Sequence, residues 1–183
     1  IGTKGSYNTG IGKDTLTNNT TGYANTAVGM GALQGNTTGY WNTASGYKTL
    51  HNNTTGRWNT ANGGYSLYSN TTGHYNIANG MRVLYSNTTG EYNTANGVTS
   101  GASITTGNDN TFLGHNSGHN ESQKIDAVNS MALGNGAYTT LDNQVVIGNT
   151  AIAQTLLNGN VGIGVASSPN KLAVNAPVTA DAL

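Results

Sequence analysis

Seven carboxylates, Asp14, Glu91, Asp109, Glu121, Asp126, Asp142 and Asp181, are the acidic side chains of this 183-residue sequence. They follow no common spacing, whereas acid-base hydrolysis requires two of them to converge on one bond. His115 and His119 stand four apart, the interval at which a helix sets two imidazoles on one face for zinc. The residues between them, Asn116-Ser117-Gly118, read as a loop, so that pairing fails. With no paired acids, triad or metal motif, the chain reads as a non-enzyme with no catalytic residues, no metal and no cofactor. Copies of one carboxylate or one His meeting in an assembly are the route left to either chemistry.

Another kind of chemistry does recur. Tyr23, Tyr40, Arg57, His74 and Glu91 occupy one repeated phase, and Ala24, Trp41, Trp58, Tyr75 and Tyr92 stand beside them. Tyr40, Arg57 and His74 vary where their surroundings are constant, and they suit ring stacking and hydrogen bonding to sugars, so they are the candidate receptor-binding residues. Neighbours on a strand face opposite sides, which predicts that one row packs inward. The regular row Trp41, Trp58, Tyr75 and Tyr92 is expected to be a buried aromatic ladder, leaving Tyr40, Arg57 and His74 exposed.

The frame that positions them is a repeat. Glycine returns every 17 residues at Gly5, Gly22, Gly39, Gly56, Gly73, Gly90 and Gly107. Asn-Thr-Thr precedes it at Asn19, Asn36, Asn53, Asn70 and Asn87, and becomes Ile104-Thr105-Thr106 in the next copy. A further Asn follows it at Asn8, Asn25, Asn42, Asn59, Asn76, Asn93 and Asn110. Then come a small residue (Gly10 and Ala27 to Ala95, yielding to Phe112), a closing Gly, and Leu16, Leu33, Leu50, Leu67 and Leu84, lost at Gly101 and Gly118. A fixed period means each unit buries its apolar face only by stacking on its neighbours.

Apolar residues do not recur at helical spacing, while Tyr40 to Gly46 alternates like a strand, with Trp41, Thr43 and Ser45 on one face and Asn42 and Ala44 on the other. Thr-Thr-Gly supplies the turn. The predicted fold is all-β, a β-solenoid or β-roll of 17-residue coils, rising about 4.8 Å per coil, with the Asn rows as amide ladders; an extended shaft would instead rise more than about 10 Å. The Asn-x-Thr glycosylation pattern is then a by-product of structural repetition.

Only 8% of the chain is charged, and seven basic residues balance seven acidic ones. This excludes a basic field for nucleic acid or an anionic membrane. No run approaches the roughly 20 apolar residues of a membrane-spanning helix. Cysteine is absent, so no disulfide contributes. Each repeat offers little apolar area for the residues it must order, which predicts burial between chains in an obligate oligomer. The sequence begins at Ile1 inside a repeat and reads as a segment of something longer.

Three regions follow: residues 1–119, the regular repeats; 120–165, variant repeats with a loop insertion at 118–126; and 166–183, a connector with a short strand at Leu172–Val174. The variant repeats, Asn110 to Gly114, Asn129 to Gly134, Asn143 to Gly148 and Asn160 to Gly164, are richer in apolar residues and are expected to carry a better apolar core.

The unit Asn19-Thr-Thr-Gly-Tyr-Ala-Asn-Thr-Ala-Val-Gly-Met-Gly-Ala-Leu33 resembles repeats in the shafts and heads of trimeric bacteriophage tail fibres. Ala127-Val-Asn-Ser-Met-Ala-Leu-Gly-Asn-Gly-Ala137 is similar to head repeats of trimeric autotransporter adhesins, a left-handed parallel β-roll. Asn158 to Gly164 and Ser168 to Val174 resemble the segment preceding the self-cleaving chaperone of phage fibres. These resemblances imply a homotrimer on the virion, outside the cell, joined to other tail proteins. The chain would attach to a bacterial surface polysaccharide or outer-membrane protein, inserting in no membrane and binding no nucleic acid. The sequence departs from the family at Ser45, Asn62, Asn79 and Asn96, where Ile or Val usually stands. The alternatives are the head of a bacterial trimeric adhesin and an ice-binding solenoid with a flat Thr array.

Overall fold

A computed structural model of the chain describes residues 5–152. One short strand forms in each repeat: β1 (Thr9–Ile11), β2 (Thr26–Val28), β3 (Thr43–Ser45), β4 (Thr60–Asn62), β5 (Ile77–Asn79), β6 (Thr94–Asn96), β7 (Thr111–Leu113), β8 (Met131–Leu133) and β9 (Val145–Ile147). They pair in chain order as a nine-stranded parallel sheet. Ala44 lies opposite Ala61, and Ala61 opposite Ala78. Each 17-residue unit is therefore one coil of a parallel β-solenoid, with a rise set by the strand spacing of about 4.8 Å. No helix occurs among the described residues. The sheet continues unbroken from β7 into β8 and β9, past residues 119 and 120. The strand expected at Asn160–Gly164 and the connector 166–183 lie outside the described residues.

Left-handed corners close each coil. In the third, Trp41 (φ 55°), Gly46 (φ 134°), Lys48 (φ 51°) and Leu50 (φ 51°) each reverse the chain around the short strand. Gly46 is required twice over, because a Cβ there would also sit 2.8 Å from the carbonyl carbon of Gly63 in the next coil. Between corners the backbone bonds alternately to the coils on either side. Thr43 N–H donates to Asn59 O (2.9 Å) and Leu50 N–H to Ser66 O (3.0 Å), while Gly46 N–H donates back to Val28 O (2.8 Å) and Lys48 N–H to Met30 O (2.9 Å).

The interior is half amide. On one side of the turn, Asn53 Nδ2 donates to Asn36 Oδ1 (2.8 Å) and to Gly56 O (3.0 Å), and Asn70 repeats the pattern onto Asn53 (2.8 Å). Across the turn, Asn42 Nδ2 donates to Asn25 Oδ1 (3.1 Å) and reaches the same Gly56 O (2.8 Å). The recurrent glycine carbonyl thus joins two amide ladders. A Cβ on Gly56 would lie 2.2 Å from Asn53 Oδ1 and 2.6 Å from Gly73 O, so the ladders leave room for glycine alone. Thr54 Oγ1 adds a third ladder onto Thr71 O (3.0 Å).

The apolar half is small: Ala27, Ala44, Ala61, Ala78 and Ala95 face Leu33, Leu50, Leu67 and Leu84, all fully buried. Where Ala becomes Phe112, Leu becomes glycine on both sides. A Cβ on Gly118 would meet Phe112 Cδ1 at 2.3 Å, and one on Gly101 would meet Phe112 Cδ2 at 2.9 Å. The ring occupies the space that leucines fill elsewhere, so the changes compensate in volume.

The better apolar core expected after Gly107 forms only in part: Phe112, Ala127, Ala132 and Ala137 are buried and Val146 packs against the core, while other apolar residues of these strands stay outside. A three-residue strand turns its two outer positions outward and only its middle one inward, so Leu113, Val145 and Ile147 lie on the outer sheet face, 51%, 63% and 59% exposed. The insertion is a surface loop at His119 to Ser122, but Gln123 turns inward and bonds reciprocally with Thr139 at 2.9 Å.

Asn53→Asp preserves shape while removing both amide donations, and it places a carboxylate against Asn36 Oδ1. Urea unfolding at neutral pH should show a loss of about 3 kcal/mol or more. Thr55→Asp, two residues away on the exposed side, should stay within about 0.5 kcal/mol.

Candidate functional site

The corner before each strand presents the residues singled out in the sequence. Tyr40, Arg57 and His74 come together one coil apart: Arg57 Nη1 donates to Tyr40 Oη (3.1 Å), and Arg57 N–H donates to His74 Nδ1 (3.2 Å). The guanidinium carbon lies 5.6 Å from the Tyr40 ring centre and 5.0 Å from that of Trp58, within cation-π range. Tyr23 stacks on Tyr40 at 4.8 Å. Arg57 Nε is buried with no hydrogen-bond partner among the described residues, an unmet donor in the middle of the strip.

Burial of the two rows differs from the sequence expectation. Trp41, Tyr75 and Tyr92 are not a buried ladder; they are 55%, 37% and 52% exposed in the single chain, and Trp58 is half-buried. Tyr40, Arg57 and His74 are half-buried instead of fully exposed. The cause is the corner. Trp41, Trp58, Tyr75 and Tyr92 have φ of 54–57°, so strand alternation does not govern them, and Asn42, Asn59, Asn76 and Asn93 fill the interior beside them. Neither row is core, and the two merge into one surface strip. Within it Trp58 stacks on Tyr75 (4.7 Å) and Tyr75 on Tyr92 (4.8 Å), while Trp41 meets Trp58 edge-on at 6.0 Å.

A second strip, missed in the sequence, lines the corner after the strand. His51, Tyr68 and Tyr85 stack at 5.3 Å per step. Tyr65 packs edge-on against Tyr47 at 5.1 Å, and Arg82 lies 4.9 Å over Tyr85. The signal was the 17-residue interval from His51 to Tyr68 to Tyr85, diluted by Gln34 and Ala102 in the same phase. Proximity to Tyr47 raises the Tyr65 phenol and the Lys48 ammonium above their ordinary pKa values.

The remaining titratable groups lie apart. His115 Nδ1 contacts Asn135 Oδ1 (3.2 Å) and His119 Nδ1 contacts Ser103 Oγ (3.3 Å), so the two imidazoles serve different partners. No group of three metal-ligating side chains occurs among the described residues. Asp126 and Asp142 share Lys124, at 2.7 and 3.1 Å. Asp126 is held below its ordinary pKa chiefly by Lys124, and Asp142 chiefly by the Val128 backbone N–H and then Lys124. A general acid needs the opposite shift. The loop residues His119 to Ser122 and Ser103 border a cavity of 580 Å³.

No family model matches the chain, and neither does a curated protein or a solved structure. The surface chemistry of the coils is what bears on function.

His74 supplies a pH-dependent element of the strip. Burial, and then the Arg57 guanidinium, lower its pKa from 6.5, opposed by Glu91. The folded chain binds this proton less readily than the unfolded chain. The stability contributed by the neutral ring is therefore fully present above the unfolded value and is lost as pH falls below it through the folded one. Protonation also removes the Nδ1 acceptor of Arg57 N–H. Melting temperatures measured from about pH 8 to about pH 5 should fall below the ordinary imidazole range, and His74→Gln should flatten that fall.

Proposed function

We propose that the chain is a receptor-binding segment of a trimeric bacteriophage tail fibre, displayed on the virion and outside the cell. It attaches to a polysaccharide or outer-membrane protein of the host surface and performs no catalysis. The observation that carries this reading is the contact of Arg57 with both Tyr40 and His74, unlike residues on a frame whose glycine, asparagine and strand-centre phases hardly vary through these coils. The apolar outer positions Leu113, Val145 and Ile147 support burial between copies. A trimer would then present identical strips and gain by avidity what each contact lacks. A bacterial adhesin head has the same geometry, and neighbouring genes for tail proteins or for a secretion anchor distinguish the two.

One observation favours a second reading. Thr21, Thr38, Thr55, Thr72, Thr89 and Thr106 form an uninterrupted exposed row at coil spacing, as an ice-binding solenoid would require. Shaping of ice crystals by dilute protein tests it directly.

Light scattering should return three times the chain mass of 18.8 kDa; a cooperatively folded monomer would overturn the assembly. Replacing Tyr40, Arg57 and His74 together by Ala should weaken attachment to host cells severalfold per folded trimer, beyond the fall in melting temperature that loss of three half-buried side chains brings. Lost stability with intact attachment per folded trimer would place recognition elsewhere, first in the 118–126 loop.

A further inference from the structure

We propose that the second aromatic strip is a separate binding site for an acidic polysaccharide lying along the solenoid axis. Tyr65, Met81, Arg82 and Tyr85 line an open surface hollow of about 430 Å³, within the size range of small-ligand sites. Segments 47–52, 64–69 and 81–86, which build this corner, contain Lys48 and Arg82 but no Asp or Glu. Among the described residues every ion pair involves Lys124, so neither cation has an acidic partner.

Both cations are held over rings, Lys48 Nζ 5.5 Å from the Tyr47 ring centre and the Arg82 guanidinium 4.9 Å from that of Tyr85. Cation-π contact orders the charged groups and leaves N–H donors for a carboxylate. Tyr68, sandwiched between His51 and Tyr85, has both faces occupied and offers its edge and hydroxyl. This suits saccharide hydroxyls better than a flat apolar ligand. The strip repeats at the coil spacing of about 4.8 Å, close to the repeat of an extended glycan chain.

A peptide has less to hold. Backbone donors at this corner are already used between coils: Tyr65 N–H on Tyr47 O (2.8 Å), Arg82 N–H on Gly64 O (2.9 Å) and Ser69 N–H on Tyr85 O (3.2 Å). Strand addition is therefore closed, and recognition must run through hydroxyls, rings and cations. The inference stands apart from the Tyr40 strip, which lies at the other end of each strand.

The test is calorimetric titration of the intact protein, in its native assembly, with hexagalacturonate. Saturable binding is expected, weakening as salt is raised. Lys48→Gln with Arg82→Gln should lower affinity at least tenfold, while the Tyr40, Arg57 and His74 triple variant should bind unchanged. Neutral maltohexaose should bind at least tenfold more weakly than the acidic probe. Absence of saturable binding, or binding insensitive to both salt and the Gln pair, overturns the proposal. Loss in the triple variant but not in the Gln pair moves the site to the first strip. Equal binding of a hexaglutamate peptide overturns the choice of a glycan. The salt series on the unaltered protein keeps the test decisive if the Gln pair folds poorly.

Discussion

One carbonyl per coil, that of the recurrent glycine, receives an amide from each of two asparagine rows, and the rest of the fold depends on this joint. Gly56 O takes Asn53 Nδ2 from its own coil and Asn42 Nδ2 from across the turn. Each asparagine also bonds to its counterpart one coil away, so buried polar groups are satisfied in two directions. This is how a chain with one Ala and one Leu facing inward per coil fills its interior. An amide ladder is directional as well as cohesive. A slip of one residue would leave every amide in the row unpaired, so register is specified more sharply than a small apolar core could manage.

The ladders also show where the pattern runs out. Ile104 stands where the next asparagine would, and Asn87 Oδ1 is left buried without a partner. The neighbouring coils change from amide to hydrocarbon, with Ile104 and Phe112 buried and Gly101 and Gly118 cleared for the ring. The other row carries on from Asn110 to the Ser130 N–H (3.0 Å), and Ser130 Oγ then accepts from Gln144 N–H (3.3 Å). The solenoid therefore replaces its interior stepwise, one row at a time, while the backbone pairing stays intact.

Period, coil and amide ladders were legible in the sequence because each follows from identity at a fixed spacing. The burial of Trp41 and its equivalents was not. Alternation was extended from Thr43 back through Trp41, into a corner whose left-handed backbone is uncommon for tryptophan or tyrosine. The outward placement of Val145 and Ile147 was misread for a related reason, since an apolar run resembles a core until the strand is known to be three residues long. Tyr68 and Tyr85 escaped notice because their phase is held by different residue types in other coils. Tyr40, Arg57 and His74 were found through their variability, and the structure adds that the Arg57 guanidinium bonds to the Tyr40 hydroxyl while the His74 ring accepts from the Arg57 backbone N–H.

The coils absorb unequal lengths without losing pairing: strand partners are 17 residues apart in β6 and β7, 20 in β7 and β8, and 14 in β8 and β9. All the variation falls outside the three-residue strands. Such a body behaves as a ruler whose graduations can be added or struck out whole. Duplicating or deleting one unit changes its reach by a single strand spacing, about 4.8 Å, and leaves the seams above and below chemically identical. Reach and surface lettering are thus inherited separately: recombination between near-identical repeats adjusts the first, and point substitution at the corners rewrites the second.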